Sequence, residues 1–81
     1  MTVEEVKEKT MEVIRESTET ELDLTEDTGL YEDMGLASVE AYVLLCELED
    51  TFGIKIPASE LRKVGTAGDL CRLVVQILRE G

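Results

Sequence analysis

Apolar residues in SVEAYVLLCELEDTF, residues 38–52, recur with the period of an α-helix. At 100° per residue, Ala41, Leu44, Leu45, Leu48 and Phe52 fall within an arc of about 100°. A strand would need strict apolar–polar alternation, which the segment lacks. The helical period returns over residues 3–17, where Val3, Val6, Thr10, Val13, Ile14 and Ser17 share a face and Glu4, Glu5, Glu8, Glu12 and Glu16 lie elsewhere. It returns again over 67–79, where Leu70, Cys71, Leu73, Val74, Val75, Ile77 and Leu78 cover more than half the wheel. The expected fold is all-α: a small antiparallel-type four-helix bundle, with three longer helices and a short third one, and a long loop between helices 1 and 2.

Local signals mark the ends of these elements. Thr2-Val3-Glu4-Glu5 has the form of a capping box, and Thr66-Ala67-Gly68-Asp69 repeats it with aspartate in the glutamate place. Gly53 suits a left-handed helix end. Ile54 and Ile56 are expected to point inward, and Pro57 forbids helix through that point. The short helix is expected over 59–64, capped by Ser59 and broken by Gly65. Arg79 near the end of the last helix suits its dipole. Residues 18–37 hold no period and read as a loop. Loops of that length are usually functional or disordered. Leu22, Leu24, Leu30, Met34 and Leu36 are spaced along it so as to pin it to the core, so an ordered loop is expected. The 81 residues are read as one domain, 1–81.

Nineteen acidic residues face eight basic ones, a net charge of -11. Such a field repels nucleic acid and anionic membranes and draws in basic protein surfaces. The start of the chain has neither a basic nor an apolar leader-like region, and no apolar run approaches the eighteen or so residues of a membrane span. A soluble, cytoplasmic protein with no membrane insertion is expected. Cys46 and Cys71 are read as free thiols in a reducing compartment, with Cys71 buried. No CxxC pair or Cys/His cluster suggests zinc. An EF-hand loop begun at Asp23 fails, because Thr25 breaks the ligand spacing and Thr28 stands where glycine is needed. No metal site is expected.

Helix 2 carries a second apolar stripe. Val39, Tyr42, Val43 and Cys46 lie opposite its core stripe with Asp50 among them, flanked by Glu40, Glu47 and Glu49. An apolar strip edged by carboxylates has the composition of a docking surface, although another element could cover it. Ser38 stands just before the stripe. A serine nucleophile normally needs a base, most often histidine, and the chain has none. Lys7, Lys9, Lys55 and Lys63 do not stand at Ser-x-x-Lys spacing to it, and no glycine-rich phosphate loop is present. The chemistry therefore points to a non-enzyme without catalytic residues. The plain role for Ser38 is a helix N-cap, which explains neither the long loop nor the stripe beside it.

The segment EDMGLASVEAYVLLCELEDTFGIKIP resembles the acyl carrier protein family. Asp33, Met34, Gly35, Ser38 and Val39 match the family's pattern around a serine that bears 4′-phosphopantetheine. ELEDTFGIKIP looks like the end of its second helix and the following turn, and LRKVGTAGDL like its third helix and the start of its fourth. The resemblance covers nearly the whole chain. It implies that Ser38 is a cofactor-binding residue, modified by a separate phosphopantetheinyl transferase using coenzyme A. It further implies that acyl groups ride as thioesters on the prosthetic thiol, and that acyl-loading and acyl-processing enzymes dock their basic surfaces on Val39, Glu40, Tyr42, Val43, Cys46, Glu47, Glu49 and Asp50. Such contacts would be small, transient and charge-steered, with the carrier a monomer.

Three departures from the family pattern stand out. Ala37 occupies the position directly before the serine where many members have Asp, Tyr42 is bulkier than usual, and Arg62 and Lys63 make the third helix more basic. These imply a specialised carrier in a fatty-acid, polyketide or related pathway. Leu30, Leu48, Ile56, Leu61 and Leu73 could line a space for the acyl chain but are equally good core residues. The rival reading is an unmodified helical adaptor that recruits a basic partner through helix 2. A small hydrolase is remote without histidine.

Overall fold

The computed structural model describes residues 2–80. Four helices follow in order: α1 (Val3–Thr18), α2 (Ser38–Phe52), α3 (Ala58–Leu61) and α4 (Ala67–Glu80). The fold is all-α, with α1 packed against both α2 and α4. The centre is filled by Ile14 from α1, Leu44 and Leu48 from α2, Leu70 and Val74 from α4, and Leu30 from the first loop, all essentially inaccessible. Thr10 joins this core because its hydroxyl donates back to the Val6 carbonyl at 2.7 Å. Val3, expected on the core face, is exposed, and Ser17 is half-buried. The core contacts of α1 thus begin one turn inside its first residue.

Two of the long helices, α1 and α4, start where side chains satisfy free amides. Thr2 Oγ1 accepts from the Glu5 amide at 3.2 Å, and Glu5 Oε1 accepts from the Thr2 amide at 3.0 Å, closing the expected box. At α4 the Asp69 amide donates to Thr66 Oγ1 at 3.1 Å, while Asp69 Oδ2 accepts from Thr66 at 3.2 Å and Gly65 at 3.1 Å. The Gly65 amide, then the Arg72 guanidinium and the Thr66 amide, hold the Asp69 carboxyl below its ordinary value. A depressed carboxylate contributes stability that is fully present above its unfolded pKa, near pH 4, and is lost as pH falls through the lower folded value. Asp69→Asn removes that titration. The melting temperature of wild type should exceed that of the variant at neutral pH, and the gap should narrow on acidification below about pH 4. Parallel curves of melting temperature against pH would contradict this role.

The short helix departs from expectation. It runs from Ala58 to Leu61, not 59–64, and Ser59 is not its cap. Pro57, already extended (φ -61°, ψ 135°), takes the N-cap place, and its carbonyl accepts from the Glu60 amide at 3.0 Å. Helical turn therefore begins one residue before Ser59. Beyond Leu61, bonds from Lys63 to the Glu60 carbonyl and from Val64 to the Leu61 carbonyl tighten the chain into a turn, which delivers Val64 to the core.

The first loop is ordered, as its leucines imply, but not by all of them. Leu30 and Leu36 are buried, and Leu24 and Met34 pack against the core. Leu22 is exposed, because it follows the left-handed end of α1 at Glu19 (φ 52°) before the chain returns to the bundle. Main-chain bonds dock the rest of the loop against the start of α4. The Leu30 amide donates to the Gly65 carbonyl, Ala67 to Thr28 and Gly68 to Glu26, each at 2.9 Å, around an isolated antiparallel bridge between Gly29 and Thr66. Lys7 of α1 reaches Glu26 at 3.3 Å. The approach at Gly68 leaves no room for a side chain: a β-carbon there would lie 2.7 Å from the Glu26 carbonyl oxygen and 2.8 Å from its Cβ. At the far end of the loop, Gly35 (φ 66°) makes the left-handed turn that lets the Leu36 amide reach the Leu30 carbonyl at 3.1 Å. The turn sets the chain on course into α2.

Candidate functional site: the start of α2 and its outer stripe

Ser38 is the first residue of α2, and Ala37 (φ -80°, ψ 162°) occupies the N-cap position. The capping role for Ser38 therefore does not hold. A capping side chain would have to come from residue 37, and alanine offers no acceptor. Half of a capping box survives, since Glu40 Oε1 accepts from the Ala37 amide at 3.1 Å. The first helical bond is from the Ala41 amide to the Ala37 carbonyl at 3.0 Å. The amides of Ser38, Val39 and Glu40 precede it and have no acceptor within the helix. Ser38 is exposed, and nothing in the fold uses its hydroxyl as a cap. A negatively charged group on that oxygen would meet free amides and the positive end of the helix dipole.

The outer stripe is open. Val39 is 74% exposed, Tyr42 53% and Val43 50%, and Cys46 is exposed too. Together with Ser38 and Glu47 they line a shallow, largely apolar groove of about 370 Å³. Glu40, Glu47 and Asp50 are exposed on the same helix. Glu49 stands apart from the other acids. It is half-buried, its Oε2 accepts from the Ile56 amide at 2.7 Å, and its carbonyl accepts from Gly53 and Ile54. This carboxylate braces the connection from α2 to α3. Nothing in the local sequence signals that task, because the bond spans seven residues across a turn.

Other sequence-derived candidates fall into place around this site. Asp33 is turned into the loop, its Oδ2 accepting from the Gly29 amide at 2.6 Å. Leu30, Leu48 and Ile56 are buried and Leu61 and Leu73 half-buried in one continuous cluster, so each serves as a core residue. Arg62 and Lys63 are exposed, Lys63 lying 3.5 Å from Glu60. Cys71 is buried with its sulfur 3.8 Å from the Lys7 carbonyl. Burial, with the nearby Glu26 charge, pushes its thiol up to about 11. Among the described residues no helix is long and apolar enough to cross a membrane.

Comparison with known proteins bears directly on this geometry. A family model described as the phosphopantetheine attachment site matches residues 5–74. A candidate acyl carrier protein from Mycobacterium tuberculosis superimposes with a TM-score of 0.81 at 28% identity, covering 88% of this chain and 96% of its own. The solution structure of a holo acyl carrier protein from Geobacter metallireducens superimposes with a TM-score of 0.79 at 25% identity, covering 93% of this chain and 87% of that one. With an exposed serine at a helix start, an open stripe beside it and a family match over most of its length, the chain belongs to the acyl carrier protein family, whose defining element is a phosphopantetheine attachment site.

Proposed function

We propose that the chain carries acyl groups as thioesters on a 4′-phosphopantetheine bonded to Ser38, and presents them to partner enzymes without catalysing a reaction itself. The observation that carries this reading is the state of Ser38: exposed, at the first position of a helix, and opening onto an apolar groove. The site fits the group. The amides of Ser38, Val39 and Glu40 are placed for a phosphodiester, and the groove offers apolar surface to the arm that follows. When bound, the group supplies the thiol that holds the acyl cargo. The residues of the chain hold and orient that arm and keep its base in contact with the helix end.

In this reading the partners are a phosphopantetheinyl transferase and acyl-loading and acyl-processing enzymes with basic docking surfaces. Val39, Tyr42, Val43 and Cys46 form the apolar centre of the contact, and Glu40, Glu47 and Asp50 its charged rim. Glu49, occupied with Ile56, contributes to the field more than to direct contact. The chain acts as one domain, 1–81, monomeric and cytoplasmic, in a dedicated pathway instead of the general one. Intact-mass measurement after incubation with coenzyme A and a broad-range transferase tests the carrier role. A gain of one phosphopantetheine group is expected. No gain with several transferases would favour the unmodified adaptor.

The dedicated-pathway part of the proposal rests on Ala37, Tyr42, Arg62 and Lys63. Ala37→Asp would add an exposed carboxylate beside the serine, and an opposite charge on a partner's rim speeds encounter. Ala37→Asp is expected to raise the rate of modification by a transferase of the general fatty-acid system several-fold at low salt, with the gain fading as salt rises. Unchanged kinetics would mean that Ala37 carries no partner information.

A further inference from the structure

The groove at the start of α2 has a chemical feature that the carrier role does not use. It begins at Ser38, and its lining includes the free thiol of Cys46. Eight residues of α-helix separate the two, a rise of about 12 Å. Fourteen bonds lie between the serine oxygen and the thiol sulfur of a 4′-phosphopantetheine arm. At the roughly 1.2 Å per bond of an extended main chain, these reach about 17 Å. The arm is thus long enough to lie along Val39, Tyr42 and Val43 and bring its sulfur to Cys46 with slack remaining. The other thiol in the chain is not available, since Cys71 is buried between α1 and α4.

We propose that Cys46 is the disulfide partner of the prosthetic arm, so that under oxidising conditions the holo protein closes an intramolecular disulfide between Cys46 and the pantetheine sulfur. The inference depends on the attachment at Ser38 proposed above. The oxidant is a low-molecular-weight disulfide such as oxidised glutathione. The Cys46 thiolate attacks one of its sulfurs, breaking that S–S bond, forming a Cys46–glutathione mixed disulfide and releasing one glutathione thiolate. Cys46 Sγ is then attacked by the arm's thiolate, a new S–S bond forms, and the second glutathione leaves. Two thiols of the carrier are oxidised and one small disulfide is reduced to two thiols, so atoms and electrons balance. The second step is intramolecular, and tethering on a short arm gives it an effective concentration in the millimolar range. It therefore outruns cross-linking between carriers at micromolar protein.

Closure removes the thiol on which the thioester forms. It also lays the arm over the apolar centre of the outer stripe. Loading and docking would stop together and return together on reduction.

The test separates this inference from the reading beneath it. Wild type, Cys46→Ser and Cys71→Ala are first loaded with coenzyme A and a transferase, and the mass gain is recorded. If none gains the group, the attachment has failed. Each holo protein is then treated with oxidised glutathione at micromolar concentration and examined by intact mass and non-reducing size analysis. Wild type and Cys71→Ala should become monomers about 2 Da lighter, with both thiols lost to alkylation and restored by reductant. Glu-specific cleavage after Glu40 should release two peptides joined by the disulfide, one bearing Ser38 and the other Cys46. Holo Cys46→Ser should stop at the arm–glutathione mixed disulfide. Stable glutathione adducts on wild type, or a disulfide-linked dimer in place of the lighter monomer, would overturn the proposal.

Discussion

Ser38→Ala is expected to abolish the phosphopantetheine mass gain and to leave the thermal midpoint of the apo protein nearly unchanged. The two halves of this result come from one geometry. Ser38 follows the N-cap instead of occupying it, and its exposed hydroxyl supports no cap. A capping serine would cost about 1 kcal/mol on replacement by alanine, which in a domain of this size lowers the midpoint by roughly 4–8 °C. An exposed residue without such a task stays within about 0.5 kcal/mol, and alanine is the better helix former. Chemically the change is absolute at this residue, because alanine has no oxygen for the transferred group to join. A mass gain that survives the substitution would dismiss Ser38 as the attachment residue. A midpoint lowered by several degrees would restore the hydroxyl to a structural part.

Gly68→Ala should destabilise the fold, although the same substitution in an open helix does the reverse. Within α4, alanine would gain about 1 kcal/mol over glycine from helix propensity. Here the added carbon meets the Glu26 carbonyl oxygen at 2.7 Å, and main chain cannot swing aside as a side chain can. Relief requires the loop to retreat, which stretches the Gly68–Glu26 bond and disturbs the Lys7–Glu26 pair. Overpacking of this kind costs about 1–3 kcal/mol. A net fall in the midpoint of several degrees is expected, at roughly 4–8 °C for each kcal/mol. Thermal unfolding followed by circular dichroism decides it, and a raised midpoint would show that loop and helix are not in close contact in solution.

The sequence disclosed the helices well because each carries its own period and its own punctuation. α2 spans the expected residues, and both Thr-led boxes close as their spacing required. The outer stripe was legible for the same reason: residues 39, 42, 43 and 46 project together whatever the rest of the chain does. Features that depend on what a segment meets elsewhere were hidden. Glu49 looked like one more rim carboxylate until the turn after Phe52 brought the Ile56 amide to it. Gly68 read as part of a box, and only the docked loop shows it as a close approach. Ser59 and Ser38 were both natural caps by residue type. Pro57 displaced the first by starting the helical turn early, and Ala37 displaced the second by taking the extended conformation one residue sooner.

The main-chain docking of the first loop has an evolutionary consequence. Main-chain bonds in which the Glu26 and Thr28 carbonyls accept from Gly68 and Ala67, and the Leu30 amide donates to Gly65, are indifferent to the loop's side-chain identity. Glu32 and Tyr31, which point to solvent nearby, are therefore free to be rewritten. A lineage could recode this edge for a new client enzyme, one substitution at a time, without first finding a replacement for whatever held the loop in place.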